Sequence, residues 1–337
     1  MVTALAFIFT FGLLTIAHEV GHFTVAKLAG IRVEEFGIGF GPSVVTAWRG
    51  ETLYSLRLLP LGGFVKMSGE DAPVPDDDRA FNNKPVLCRL AVIAAGPFMN
   101  LLLAILLFAL IFFLVGIPER APLVGAVLEG SPAAEAGLAA GDRVLSINGE
   151  EVASWEEMVA AIQDSGTEVI AVRFARQGEI ITVELRPEID PDSGIGYIGI
   201  QRGMRRYRIL TSLYYGFVQT VAILAFIIAR LGEMLTGQIA PEITGPVGIV
   251  QAVGEVVRTG LLNLLSLAAI LSINIALFNL FPIPMLDGGQ ILFLGLEALR
   301  KKPLKPEQEG FLRFVGILFL LFLLVVVTYR DISRLLL

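Results

Sequence analysis

The sequence has little of what usually builds disulfides and metal cages. One cysteine, Cys88, and two histidines occur in 337 residues. A single cysteine excludes an intramolecular disulfide and a cysteine-based zinc cage. Charge is also sparse, at 17% of residues, with 26 Lys and Arg against 32 Asp and Glu and a net charge of −6. There is no basic, aromatic-interleaved patch, which excludes nucleic acid as a partner. What fills the chain is apolar: 55% of residues are hydrophobic and the mean hydropathy is +0.72. That composition belongs to an integral membrane protein.

Both histidines fall in one stretch, His18-Glu19-Val20-Gly21-His22. It lies inside the first apolar run, Val2 to Ala29, whose only charged residues are Glu19 and Lys27. Helix positions i and i+4 share a face one turn apart, so the two imidazoles aim at one point and Glu19 lies beside it. This is the metalloprotease spacing, in which two His bind Zn²⁺ and the Glu is the general base. Ionisable residues inside an apolar span are costly and are functional candidates by default. The plainer alternative is a solvated His-Glu-His patch at a helix end. The run lacks a basic leader and its removal would discard the histidines, so it is expected to be a retained first span.

Catalytic zinc usually takes three protein ligands. With no third His and no suitable Cys, the remaining ligand is expected to be a carboxylate. The best placed is Asp287, in Asn279-Leu280-Phe281-Pro282-Ile283-Pro284-Met285-Leu286-Asp287-Gly288-Gly289-Gln290. Two prolines break the helix there, and irregular backbone at membrane depth is tolerated only inside protein or beside a wet cavity. The bland role for Asp287 is a helix N-cap after the proline break.

The chain divides by composition. Residues 1–29 are the first span with HExxH, and 30–94 a cytoplasmic, membrane-associated β-loop region. The second span is 95–116, a soluble domain occupies 119–201, and 205–262 is a membrane-associated helical linker. Residues 266–296 are the third span with the Leu-Asp-Gly motif, 297–310 a cytoplasmic loop and 311–330 the fourth span. Alternation at Thr52–Leu58 and Gly63–Met67 predicts short strands. They form either a hairpin that holds an extended peptide by strand addition or a mere connecting loop. Asp71–Arg79 reads as a surface loop, and Ile243–Gly248 as a turn. Asn100 needs partners wherever it is buried, either at the first span and its site or as glue between helices. Residues 27–94 carry eight Lys and Arg, whereas 119–201 hold fifteen Asp and Glu against five Lys and Arg. The positive-inside rule then puts 27–94 and 297–310 in the cytoplasm and leaves the acidic domain outside. On that topology the linker contains no crossing, or two.

The run Ser131-Pro132-Ala133-Ala134-Glu135-Ala136-Gly137-Leu138, then Gly141-Asp142 and Ile147-Asn148-Gly149, resembles a circularly permuted bacterial PDZ domain. That resemblance makes Tyr197, Ile198, Gly199 and Ile200 the peptide groove. HEVGH, the PDZ-like insert, Ala95–Asn100 and Asn279–Gly289 together resemble the site-2 protease family, in its bacterial regulator-of-sigma-E branch with a single PDZ domain.

The resemblance implies a polytopic α-helical membrane protein with four core transmembrane helices. It adds one extracytoplasmic PDZ domain (α+β) and a short membrane-associated β-hairpin. It makes His18, His22 and Asp287 ligands of one Zn²⁺, and Glu19 the catalytic acid/base. Asn279 and Asn274 would engage substrate backbone, and Gly63 and Phe64 lie in the 52–67 hairpin that receives it. The implied activity is cleavage of single-span membrane proteins, such as anti-sigma factors or signal-peptide remnants, in the bacterial cytoplasmic membrane. This is regulated intramembrane proteolysis. The PDZ domain would bind a peptide C-terminus or act as a size filter. The competing class is a membrane-anchored PDZ receptor or scaffold with a non-catalytic metal site; Glu19 argues against it, since a structural site needs no base.

Overall fold

The computed structural model describes residues 2–70, 72, 74–189, 194–240, 245–302 and 306–336. Ile243 and Thr244 of the expected turn, Asp71 and Pro73 of the surface loop and Lys305 of the basic loop lie outside them. The chain forms two compact units, Met1–Ile111 with Leu213–Leu337, and Phe112–Ser212. The elements run α1 (Val2–Leu28), β1 (Val33–Arg49), β2 (Thr52–Met67) and α2 (Val86–Leu114). There follow β3 (Ile117–Pro118), β4 (Val124–Val127), α3 (Pro132–Glu135), β5 (Arg143–Ile147), β6 (Glu150–Glu151) and α4 (Trp155–Asp164). Next come β7 (Ile170–Arg176), β8 (Glu179–Leu185), β9 (Glu188–Ile189), β10 (Gly196–Tyr197), β11 (Ile200–Arg202) and β12 (Met204–Arg205). The chain ends with α5 (Ile209–Leu235), α6 (Pro246–Thr259), α7 (Leu261–Asn279), α8 (Asp287–Arg300) and α9 (Pro306–Leu336).

Among the described residues, five helices are long and apolar enough to cross a membrane: α1, α2, α5, α7 and most of α9. Four core spans were expected; α5, a fifth helix of span length and apolarity, lies in the linker expected to hold no crossing or two. The linker 205–262 thus holds one helix of 27 residues and one, α6, of 14. A helix of about 20 residues is needed to span the apolar core, so α6 is too short. It packs instead on the first turns of α1 and α7, where Ala6, Val253 and Leu264 share a buried cluster. Asp331 of α9 accepts the Gly245 and Gly248 N–H groups at 3.1 and 2.9 Å, which satisfies the start of α6. The expected third span is broken: α7 ends at Asn279 and α8 begins at Asp287.

The β-loop region differs from the expected simple hairpin. Thr52–Leu58 and Gly63–Met67 do not pair with each other. Residues 33–38 pair with 63–67 on one side and lie against 53–56 on the other, while 43–49 pair with 52–57. The result is four rungs in the order 63–67, 33–38, 52–57, 43–49. The cause is bending at glycines that occupy left-handed backbone: Gly39 and Gly41 (φ 89° and 86°) in β1 and Gly62 (φ 88°) in β2. One edge, 63–67, packs on α1. The other, 43–49, is apolar and pairs among the described residues only with 52–57, with Val44 and Trp48 62% and 71% exposed. At the turn, Glu51 accepts from Lys27 at the end of α1 and from Arg79, at 2.8 and 2.6 Å. These two bonds hold its carboxyl down to about 2.

The second unit has its own core of Val124, Val144, Met158, Ile170, Val172, Phe174 and their neighbours. An antiparallel sheet of order β6-β5-β7-β8 forms one side, and β4 pairs with β11 on another. Ser131 and Ser154 cap α3 and α4, accepting the Ala134 and Glu157 N–H groups. Asp142 is buried at 1% exposure and accepts from Arg176 Nε and Nη2 at 2.7 Å and from the Ala139 N–H at 2.8 Å. Burial pushes its carboxyl up, but these bonds and the Arg176 charge outweigh that and leave it below its ordinary 3.8.

Candidate metal centre

Helix α1 brings His18 and His22 edge to face, with ring centroids 4.7 Å apart. Their Nε2 atoms are 3.1 Å apart. Asp287 Oδ2 lies 3.2 Å from His18 Nε2 and 3.6 Å from His22 Nε2. Among the described residues this carboxylate oxygen is buried without a hydrogen-bond partner. Ligand atoms 2.0–2.1 Å from a tetrahedral ion sit about 3.3 Å from one another, so the observed triangle fits a zinc-sized cation. No other donor set among the described residues groups three such side chains.

Each corner is positioned from outside. His22 Nδ1 donates to the Val92 carbonyl of α2 at 2.9 Å, which leaves the Nε2 lone pair for the centre. The Asn100 amide, also on α2, lies 3.3 Å from His18 Nδ1. Helices α1 and α2 meet closely at two glycines. A Cβ on Gly21 would collide with the Ala95 carbonyl, and one on Gly96 would collide with His22 Nε2 and come within 2.8 Å of His18 Cε1. Gly96 therefore keeps open the space between the imidazoles. Asp287 is the first residue of α8. Gly288 and Gly289 let the 280–286 backbone fold over that helix start, where any Cβ would strike the Leu280, Phe281 and Ile283 carbonyls. Helix α8 is anchored by Leu294, buried with Ala26, Ile31, Val33, Val92 and Ile93. It is also anchored by Glu297, which takes both ends of the Arg89 guanidinium at 3.1 and 2.5 Å.

Glu19 points from the same helix toward the sheet. A Cβ on Gly63 would come within 2.8 Å of Glu19 Cγ and 3.1 Å of Thr15 Cγ2, so the edge strand 63–67 runs beside Glu19. Phe64 covers Gly37 and carries the Arg57 guanidinium 4.8 Å above its ring. Asn274 donates within α7 to the Ile270 carbonyl at 3.0 Å, and Asn279 is the half-buried last residue of that helix. In the second unit, a cavity of about 320 Å³ opens between α4 and β11, lined by Trp155, Met158, Ile162, Tyr197, Ile198 and Ile200. Asn100 was expected either at the first span and its site or as glue between helices, and it makes contacts of both kinds, to His18 and to Ser272 of α7. Gly96 had no expected role, because it acts through a neighbour on another helix. Their signal was the polar and small residues set within an apolar span.

The sequence model of Peptidase family M50 matches residues 6–323. The chain belongs to this family. Among relatives, Zinc metalloprotease RasP of Bacillus licheniformis is 34% identical over 99% of this chain and 100% of its own length. Regulator of sigma-W protease RasP of Bacillus subtilis is 34% identical over 99% of each chain. A putative zinc metalloprotease of Clostridium acetobutylicum is 36% identical over 96% of each. A solved PDZ domain of an SdrC-like protein from Listeria monocytogenes is 23% identical over 26% of this chain and 93% of its own, with a TM-score of 0.23. Membership in family M50 bears out the site-2 protease resemblance. With five span-length helices, it makes the chain a multi-pass membrane metallopeptidase.

Proposed function

We propose that His18, His22 and Asp287 hold one Zn²⁺ and that Glu19 is the acid/base of an intramembrane endopeptidase. The observation that carries this is the triangle of three lone-pair atoms 3.1–3.6 Å apart, set inside membrane helices and bordered by a carboxylate. Bound Zn²⁺ supplies Lewis acidity there, polarising a carbonyl and lowering the pKa of water toward about 7. Glu19 takes a proton from the attacking water and returns it to the leaving amine. His22 is held in the right tautomer by Val92, and Gly96 keeps the cavity open.

A helical substrate hides its scissile carbonyls, so a stretch must unwind. The outer rung 63–67 runs next to Glu19, and strand addition beside it offsets the cost of unwinding. Gly63 and Phe64 bind substrate on this reading, and Asn274 and Asn279 do so from α7. Substrates are single-span membrane proteins, with anti-sigma factors and signal-peptide remnants as the classes. The name of the Bacillus subtilis relative supports the first. The exposed apolar edge with Val44 and Trp48 sits in the lipid. The second unit is PDZ-like, faces the outside of the bacterial cytoplasmic membrane and takes a peptide C-terminus in its α4–β11 groove. The charge distribution supports that sidedness, with the centre near the cytoplasmic face.

The deciding experiment is metal content and cleavage of a single-span substrate by the wild type and Glu19→Gln. One zinc in each, with cleavage by the wild type only, is expected. Zinc in both with equal cleavage would remove Glu19 from the chemistry, and absence of metal in both would remove the centre.

A further inference from the structure

We propose that Asn100 is the positioning residue of His18, holding its ring by accepting the Nδ1–H through Oδ1. The inference rests on the metal reading above and adds a role for a residue in α2 that touches neither metal nor substrate.

Asn100 is fully buried, at 0% exposure, one turn beyond Gly96. A buried amide inside a membrane helix is costly unless it is used. Its side-chain nitrogen is placed 3.3 Å from His18 Nδ1, and its Oδ1 has no partner among the described residues. Its backbone carbonyl accepts from Ser272 Oγ of α7 at 2.7 Å, so the residue also ties α2 to α7.

The far side of the ring decides which amide atom must face His18. His18 Nε2 looks at His22 Nε2 and Asp287 Oδ2 at 3.1 and 3.2 Å. Three lone-pair atoms converging this closely need a cation, and Nε2 must then offer its lone pair. A neutral imidazole with a free Nε2 lone pair carries its hydrogen on Nδ1. An Nδ1–H cannot donate to an amide NH₂. The two ends of an Asn amide have the same shape, and their identity follows from the hydrogen bonds they make. Either orientation leaves one end without a protein partner. Only the one with Oδ1 toward His18 avoids setting an N–H against an N–H.

The two imidazoles thus have matched supports. His22 uses the backbone carbonyl of Val92 and His18 uses a side chain, so only the second can be removed by substitution. Losing such an outer partner typically costs about 10–100-fold in metal affinity.

The test uses the full-length protein in detergent and measures Zn²⁺ and Co²⁺ affinity by chelator competition, with the Co²⁺ absorption spectrum. Asn100→Leu and Asn100→Ala are expected to weaken both metals about 10–100-fold and to change the Co²⁺ spectrum. Asn100→Asp, which keeps an acceptor, is expected to retain near wild-type affinity. The metal-free thermal midpoint controls for general damage. Should the Leu variant fail to fold, the Ala and Asp pair carries the comparison. Wild-type affinity in the Leu and Ala variants, or equal losses in the Asp and Ala variants, would overturn the role of Asn100 alone. A wild type that binds neither metal would overturn the metal reading and this inference with it.

Discussion

Gly96 makes the sharpest single-residue test of the centre. Its missing Cβ is the space between His18 and His22, and the smallest possible addition, Gly96→Ala, fills it. Alanine is a better helix former than glycine by about 1 kcal/mol, so α2 itself should not suffer. The expected outcome is a folded protein with no stoichiometric zinc and no cleavage, measured by metal analysis beside helical content. Full metal occupancy in this variant would move the ion elsewhere. In the other unit, Asp142 tests burial against pairing. Its carboxyl is depressed, so its stabilising effect is complete above the ordinary 3.8 and is lost as pH falls below that value. Protection of the β5 and β7 amides in the full chain, taken relative to the free-amide exchange rate at each pH, should therefore fall as pH drops below about 4 in the wild type. In Asp142→Asn that protection should be lower at neutral pH and respond less to acid. At this scale the sequence was most readable where chemistry and spacing coincide. His18 and His22 declared themselves by the i, i+4 rule and Asp287 by the absence of any other ligand. Asn100 was marked only as a polar group needing partners, with two readings open, and Gly96 was not marked at all, because what defines them is the approach of α2 to α1, and no local pattern encodes which face of a uniformly apolar helix meets which neighbour.

At the scale of elements, Asp287 is only as well placed as α8. That helix is held by Leu294 in the cluster around Ala26 and Val92 and by the two-pronged Arg89–Glu297 pair, whose side chains are 11% and 18% exposed. Hydrogen bonds between charged groups this well covered are worth about 1.5–3 kcal/mol. Glu297→Gln should loosen α8 by a comparable amount, lower the thermal midpoint and weaken metal binding, although it lies ten residues beyond Asp287. The double variant Arg89→Glu with Glu297→Arg should recover much of that loss, read by chelator competition. If Glu297→Gln leaves both midpoint and metal affinity unchanged, α8 is fixed by its apolar contacts alone. The β-loop sheet was the element least legible beforehand. Its alternation gave strands in the right places, but the pairing depends on left-handed turns at Gly39, Gly41 and Gly62, which separate the two runs and bring 33–38 between them. That arrangement leaves 63–67 at an edge beside Glu19, a placement that alternation alone could not supply.

For the whole molecule, the relevant fact is that the two units have separate cores. The helical unit holds every residue of the metal triangle, and the β unit has its own apolar interior and its own groove. Damage to the groove should therefore change which substrates are taken without changing the chemistry. Met158 and Ile200 line the groove from α4 and β11. Ile200 is half-buried and Met158 fully buried, so Ile200 is the safer position for substitution. Ile200→Glu puts a charge where an apolar peptide side chain would dock and where a terminal carboxylate would be repelled. If the groove reads a peptide C-terminus, this variant should lose binding of apolar C-terminal peptides and slow cleavage of substrates that present one. It should still hold one zinc and still cleave a short single-span substrate lacking an ectodomain at the wild-type rate. If the β unit works instead as a size filter, Ile200→Glu should leave both substrates unaffected. Deletion of residues 119–201 with a short linker should then admit substrates with bulky ectodomains that the wild type rejects. The two outcomes are separable because one depends on a side chain in the groove and the other on the volume of the whole unit.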